Sequence, residues 1–135
     1  MKKAGILILL IGCMLLFGAC SIRKDNSEKL RDIDFTVVDT LDAPEELLNE
    51  IENRKEKTFE LTYADEGYLY VARGYGAQDT SGYSVEVVSC YEADNTICVE
   101  TELLGPPKDE EIVEKQTYPN VIIKMEYSEK NVMFK

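Results

Sequence analysis

Phe59-Glu60-Leu61-Thr62-Tyr63-Ala64-Asp65-Glu66-Gly67-Tyr68-Leu69-Tyr70-Val71 places two alternating apolar runs on either side of a turn. Apolar residues at every second position mark a strand with one face on a core, and Gly67 tolerates a left-handed backbone, so the stretch predicts a β-hairpin. With Gly67 closing a three-residue loop with a bulge, Leu61 faces Val71 and Tyr63 faces Leu69. The device repeats downstream. Val85, Val87 and Tyr91 alternate before Ala93-Asp94-Asn95, and Ile97, Val99 and Leu103 alternate after it. Asn95 suits the left-handed position. The same loop geometry sets Tyr91 against Ile97 and Cys90 directly opposite Cys98.

Outward from the hairpins the pattern stays that of short elements. Ile33-Asp34-Phe35-Thr36-Val37-Val38 alternates as a first strand. Asp42-Ala43-Pro44-Glu45 predicts a helix start with Asp42 as N-cap, followed by about twelve helical residues whose Leu47, Leu48 and Ile51 share one face. Glu50 and Arg54 stand four apart on its exposed side. After Leu104-Gly105-Pro106-Pro107, the acidic stretch Lys108 to Lys115 suggests a helical turn around Ile112 and Val113. Thr117-Tyr118-Pro119 then launches Val121-Ile122-Ile123-Lys124-Met125, apolar enough for a central strand, and Val132-Met133-Phe134 closes the chain as an edge strand. The expected fold is α+β: a mainly antiparallel sheet of about seven short strands with one packed helix.

The N-terminus reads differently. Met1-Lys2-Lys3 leads into an apolar run from Ala4 to Ala19, too short for the roughly 18 to 20 residues of a membrane span and ending in Leu16-Phe17-Gly18-Ala19-Cys20. This end resembles the lipobox of bacterial lipoproteins, in which the cysteine accepts a diacylglyceryl group; Phe17 replaces the usual Leu. The resemblance implies a signal peptide over residues 1–19, lipidation of Cys20 and a location on the extracytoplasmic face of the cell membrane. Residues 20–32 are polar and mixed in charge and read as a flexible tether, with the domain occupying 33–135. Cleavage before Cys20 removes Lys2 and Lys3 and no acids, taking the net charge from -11 to -13. So acidic a surface repels nucleic acid and anionic headgroups, so lipid and not basic side chains would hold the chain to the membrane.

Of the four cysteines, Cys13 leaves with the signal and Cys20 is the lipid acceptor. Cys90 and Cys98 remain as an exported pair, for which a cross-strand disulfide is expected, against free thiols or a metal pair. The chain has no histidine, which removes Ser-His, Cys-His and His-metal chemistry together. No Gly-rich phosphate loop followed by Lys-Ser or Lys-Thr is present. Asp109-Glu110-Glu111 lacks the ligand spacing and glycine of a calcium loop and reads as a solvated acidic face. No catalytic residue, metal site or cofactor is expected.

Gly74-Tyr75-Gly76-Ala77-Gln78-Asp79-Thr80-Ser81-Gly82-Tyr83 is the segment that suggests a partner, because glycines permit close approach and rigid aromatics bind at low entropic cost. Tyr75 and Tyr83 are the candidate contacts; the competing reading is a crossover whose tyrosines cap the core. From Gly82-Tyr83-Ser84-Val85-Glu86-Val87 through Gly105-Pro106-Pro107 to Thr117-Tyr118-Pro119-Asn120-Val121-Ile122-Ile123-Lys124-Met125, about residues 60 to 126, the chain resembles the C-terminal domain of the protease complex subunit PrcB family. That resemblance implies a secreted or lipid-anchored, non-catalytic accessory that assists maturation or assembly of a surface protease. Asp79-Thr80-Ser81-Gly82-Tyr83 is also similar to the loop that chagasin-type inhibitors insert into cysteine proteases, without its Asn-Pro pair and without any tryptophan. A structural or solute-binding envelope lipoprotein is the third reading.

Overall fold

The computed structural model describes residues 28–135. Its elements are β1 (Arg31–Asp32), β2 (Thr36–Val37), a 3-10 turn (Thr40–Asp42), α1 (Glu45–Arg54), β3 (Thr58–Asp65), β4 (Tyr68–Tyr75), β5 (Ser84–Glu92), β6 (Thr96–Leu104), β7 (Asn120–Glu126) and β8 (Asn131–Phe134). Two four-stranded sheets result, ordered β1-β5-β6-β8 and β2-β7-β4-β3. All pairings are antiparallel except β6 with β8, which is parallel. The expected α+β class holds, with eight strands in place of seven because Arg31–Asp32, ahead of the expected first strand, pairs with β5, while Thr36–Val37 within Ile33 to Val38 pairs with β7.

The layers follow from which faces are apolar. Leu69 and Val71 of β4 and Val121, Ile123 and Met125 of β7 meet Cys90, Ile97 and Val99 of the other sheet in a core between the sheets. On the opposite face of β4 and β7, Tyr70, Ala72 and Ile122 join Phe59 of β3 beneath Leu47 and Ile51 of α1. The order is therefore helix, sheet, sheet, and β7 is central and covered on both faces, as its apolar run predicts. β8 is an edge strand.

Both hairpins depart from the expected register by one residue. In the first, Asp65 pairs with Tyr68, Tyr63 with Tyr70 and Leu61 with Ala72. The loop has two residues, Glu66 and Gly67, both left-handed at φ 49° and 83°, the geometry of a type I′ turn, whose twist suits a hairpin. A one-residue shift exchanges faces, so Phe59, Leu61 and Tyr63 lie under α1 while Leu69 and Val71 face the other sheet. In the second hairpin, Val85–Leu103 and Val87–Thr101 pair as the alternation requires, but a β-bulge between Val87 and Ser89 shifts the rest: Cys90 stands opposite Val99 and Tyr91 opposite Cys98. The inward series on β5 thus runs Val85, Val87, Cys90, and Tyr91 is turned outward.

Other differences are local. Asp42 is not the N-cap of α1; it closes the 3-10 turn, and Pro44 takes the cap position without a side-chain cap bond. The helix has ten residues, with Glu45 and Glu46 in its first turn where the dipole favours acids, and Arg54 pairs with Glu50 at 3.0 Å. Lys108 to Lys115 forms no helix; Glu110 N–H to Pro107 O at 3.1 Å and Lys115 N–H to Val113 O at 2.8 Å close two tight turns, and Ile112 and Val113 are exposed. Residues 30–32, expected in the tether, already bond to β5 through Leu30 N–H to Glu92 O at 2.8 Å.

Candidate interaction site

The crossover from β4 to β5 is stitched to the segment between β6 and β7. Gln78 and Thr117 exchange backbone hydrogen bonds at 2.8 and 2.9 Å, and Ser81 N–H donates to Val113 O at 3.0 Å. Side chains add to this: Thr117 Oγ1 donates to Thr80 O at 2.7 Å, and Val113 N–H donates to Ser81 Oγ at 2.9 Å. Gly76 and Gly82 hold φ of 80° and 92°, and a Cβ on Gly82 would lie 2.8 Å from Pro106 Cβ. Glycine is therefore required at Gly82 twice over, for backbone sign and for contact with Pro106. The Asp79 to Tyr83 loop is tied back along its length and does not project as an inserting loop does.

The two candidate tyrosines do different things. Tyr75, the last residue of β4, is half-buried, and its hydroxyl lies 2.6 Å from Thr101 Oγ1 on β6. It joins one sheet to the other and satisfies Thr101, a buried polar side chain at 9% exposure. Its ring also carries the Arg73 guanidinium at 5.2 Å, which sits 5.7 Å from the Phe134 ring and 3.4 Å from Glu60. Tyr83 is half-buried and lines a groove of about 370 Å³ with Val37, Thr40 and Pro119. Tyr75 instead lines a cavity of about 730 Å³ with Arg54, Lys57, Phe59 and Arg73, so the pair do not share a pocket. Sequence reasoning missed Thr101 and Arg73; the signal for Thr101 is a hydroxyl interrupting the inward series Ile97, Val99, Leu103.

Cys90 and Cys98 are both buried and free. The expected disulfide is not formed, because the bulge at Val88 puts the two thiols on opposite faces of the sheet. Burial, with Cys98 adding to it, pushes the Cys90 thiol up to about 11. Cys20, Cys13 and the 1–19 segment lie outside the described residues. Among the described residues there is no group of three or more metal-binding side chains and no helix long and apolar enough to cross a membrane.

Residues 69–126 match the family model described as PrcB C-terminal. That segment is a PrcB C-terminal domain. The matched PrcB unit runs from Leu69 in β4 to the end of β7, and so contains the strands that build the core between the sheets. Its motif residues meet in space: Gly82-Tyr83, Gly105-Pro106 and Thr117-Tyr118-Pro119 form the stitched corner described above. No curated protein and no solved structure matches the chain.

Proposed function

We propose that the chain is a lipid-anchored extracytoplasmic accessory protein, held to the cell membrane through Cys20, that binds another extracytoplasmic protein, a surface protease or its precursor, without chemistry of its own. The observation that carries this reading is the PrcB C-terminal match over residues 69–126. The lipobox-like Leu16-Phe17-Gly18-Ala19-Cys20 supports the anchor. Anchoring raises the local concentration beside membrane partners, so a weak interface suffices. Tyr83, which lines the groove with Val37 and Thr40, is the contact residue. Tyr75 supports that surface through its bond to Thr101.

The test is mild crosslinking in the native cells, followed by recovery of the anchored chain and of a Tyr83→Ala variant. A protease recovered with the first and lost with the second supports both the function and the contact. A protease recovered equally with both moves the contact elsewhere on the domain. Recovery of no protease with either overturns the accessory reading in favour of a structural or solute-binding envelope role.

A further inference from the structure

Three of the four sheet edges are short: β1 and β2 have two residues each and β8 has four. The fourth, β3, has eight and ends its sheet. Long open edges are ordinarily shortened, covered or interrupted by proline, lysine or a bulge. β3 contains no proline, lysine or bulge, and its ladder with β4 is unbroken from Thr58 to Asp65. The two-residue turn makes Asp65–Tyr68 a hydrogen-bonded pair, so Tyr63, Leu61 and Phe59 also bond to β4. Thr58, Glu60, Thr62 and Ala64 therefore aim their backbone N–H and C=O groups away from the sheet, and their side chains are exposed. The cavity of about 730 Å³ opens along the Thr58 end of this edge.

We propose that β3 is a docking edge for β3 of a second copy of this chain, forming a two-fold symmetric dimer with one continuous sheet. The sequence of the edge is self-complementary. With the two-fold at Leu61, antiparallel pairing sets Thr58 against Ala64 and Glu60 against Thr62 of the other copy, each pair exchanging two hydrogen bonds. On the other face Phe59 stands opposite Tyr63 and Leu61 opposite itself, so aromatic, leucine, aromatic reads the same in both directions, with the Phe59 ring turned in over Gly74 and the partly exposed Leu61 and Tyr63 left to meet the second copy. No carboxylate directly opposes its own copy; the two Glu60 stand diagonally across the dyad, each held by its own Arg73 at 3.4 Å.

Charge selects the same occupant. At the Thr58 end Arg54, Lys57 and Arg73 stand with Glu56 and Glu60; Arg54 already pairs with Glu50 and Arg73 with Glu60, which leaves Lys57 as the cation that can answer an acid of another copy. Glu46, placed beside β3 by the Tyr63 hydroxyl donating to it at 2.7 Å, stands with Asp65 and Glu66 toward the other end. A dyad brings the Thr58 end of one copy to this acidic end of the other, and the register puts Lys57 against Asp65. The net charge of -11 opposes association at long range, but physiological salt screens it beyond about 8 Å. Closed two-fold pairing also consumes the edge, leaving no surface for further strand addition. The dimer stands whether or not a protease partner is captured.

The test is sedimentation of the full chain in density-matched detergent, together with hydrogen exchange at the β3 amides. The expected mass is that of two chains, with Glu60, Thr62 and Ala64 amides protected at high concentration and losing protection on dilution. Thr62→Pro removes one outward N–H without touching the ladder to β4, and should give a folded monomer by circular dichroism. Lys57→Glu should weaken association about five- to tenfold, since symmetry makes the contact twice, and Asp65→Lys in the same chain should restore it. A monomer at all concentrations overturns the proposal. So does a dimer whose β3 amides exchange freely, or one that survives Thr62→Pro.

Discussion

Replacing Tyr75 with phenylalanine removes a single oxygen, the one that lies 2.6 Å from Thr101 Oγ1. A hydrogen bond of this kind contributes about 0.5–1.5 kcal/mol net, and a buried partner left without one costs about 1–3 kcal/mol. Thr101 is only 9% exposed, so its hydroxyl has little access to water, and the expected loss for Tyr75→Phe is about 1.5–2 kcal/mol. Thr101→Val leaves instead the hydroxyl of Tyr75, a residue less buried than Thr101, and should cost about 1 kcal/mol. Each variant breaks the same bond, so the double variant should fall short of the sum by about 1 kcal/mol. The assay is urea denaturation of the four proteins followed by circular dichroism, with melting temperature as a second reading. For a domain of this size 1 kcal/mol shifts Tm by about 4–8 °C, so Tyr75→Phe should melt roughly 6–16 °C lower. Additive single effects, or a Tyr75→Phe change within about 0.3 kcal/mol of zero, would refute the inter-sheet role and return Tyr75 to the list of free contact residues.

Gly82→Ala forces a Cβ to 2.8 Å from Pro106 at a φ of 92°; a loss of about 2 kcal/mol or more is expected in the urea midpoint. Glu66→Asn makes the turn Asn-Gly, which suits two left-handed residues, and should stabilise by about 0.5 kcal/mol; an unchanged or lower midpoint would contradict the two-residue turn. Cys90 should resist Ellman's reagent in the folded protein and react promptly in urea. Its folded thiol keeps its proton to about 11 while the ordinary value is 9.0. The unfolded state therefore binds fewer protons between those values, and stability should be full below pH 9 and fall as pH rises toward 11. Cys90→Ala should remove that part of the alkaline loss, read from urea midpoints on either side of the interval.

The existence and type of the main elements are legible in the sequence because alternation, turn residues and the run Val121 to Met125 are local signals. The faces are less so. Odd-numbered apolar residues on both arms of the first hairpin suggest a common face, yet the loop length that decides the register depends on Glu66 accepting φ 49°, which no propensity announces for glutamate. The better cue is Leu69-Tyr70-Val71-Ala72, a continuous apolar run, which marks a strand covered on both sides. The second hairpin fails at Val88 for the same reason: a bulge costs one residue of alternation and carries Cys90 to the face away from Cys98. Tyr75 and Thr101 are 26 positions apart, so their bond is a product of sheet stacking and invisible to any local window.

The stitched corner also explains what the PrcB motifs are for. Gly82 is glycine because Pro106 lies against it, and Thr117 is hydrogen-bonded to Gln78 and Thr80. These residues hold the crossover in place, so the segments that identify the domain are scaffold, and recognising them does not locate a binding surface. The surface must be sought in what the corner positions, such as the Tyr83 groove, and in what the match omits. β3 and α1 lie outside residues 69–126, and the open β3 edge, with Lys57 beside one end and Asp65 at the other, is built there. A partner or second copy that reads this edge would read residues outside the matched segment, so the match by itself does not locate it.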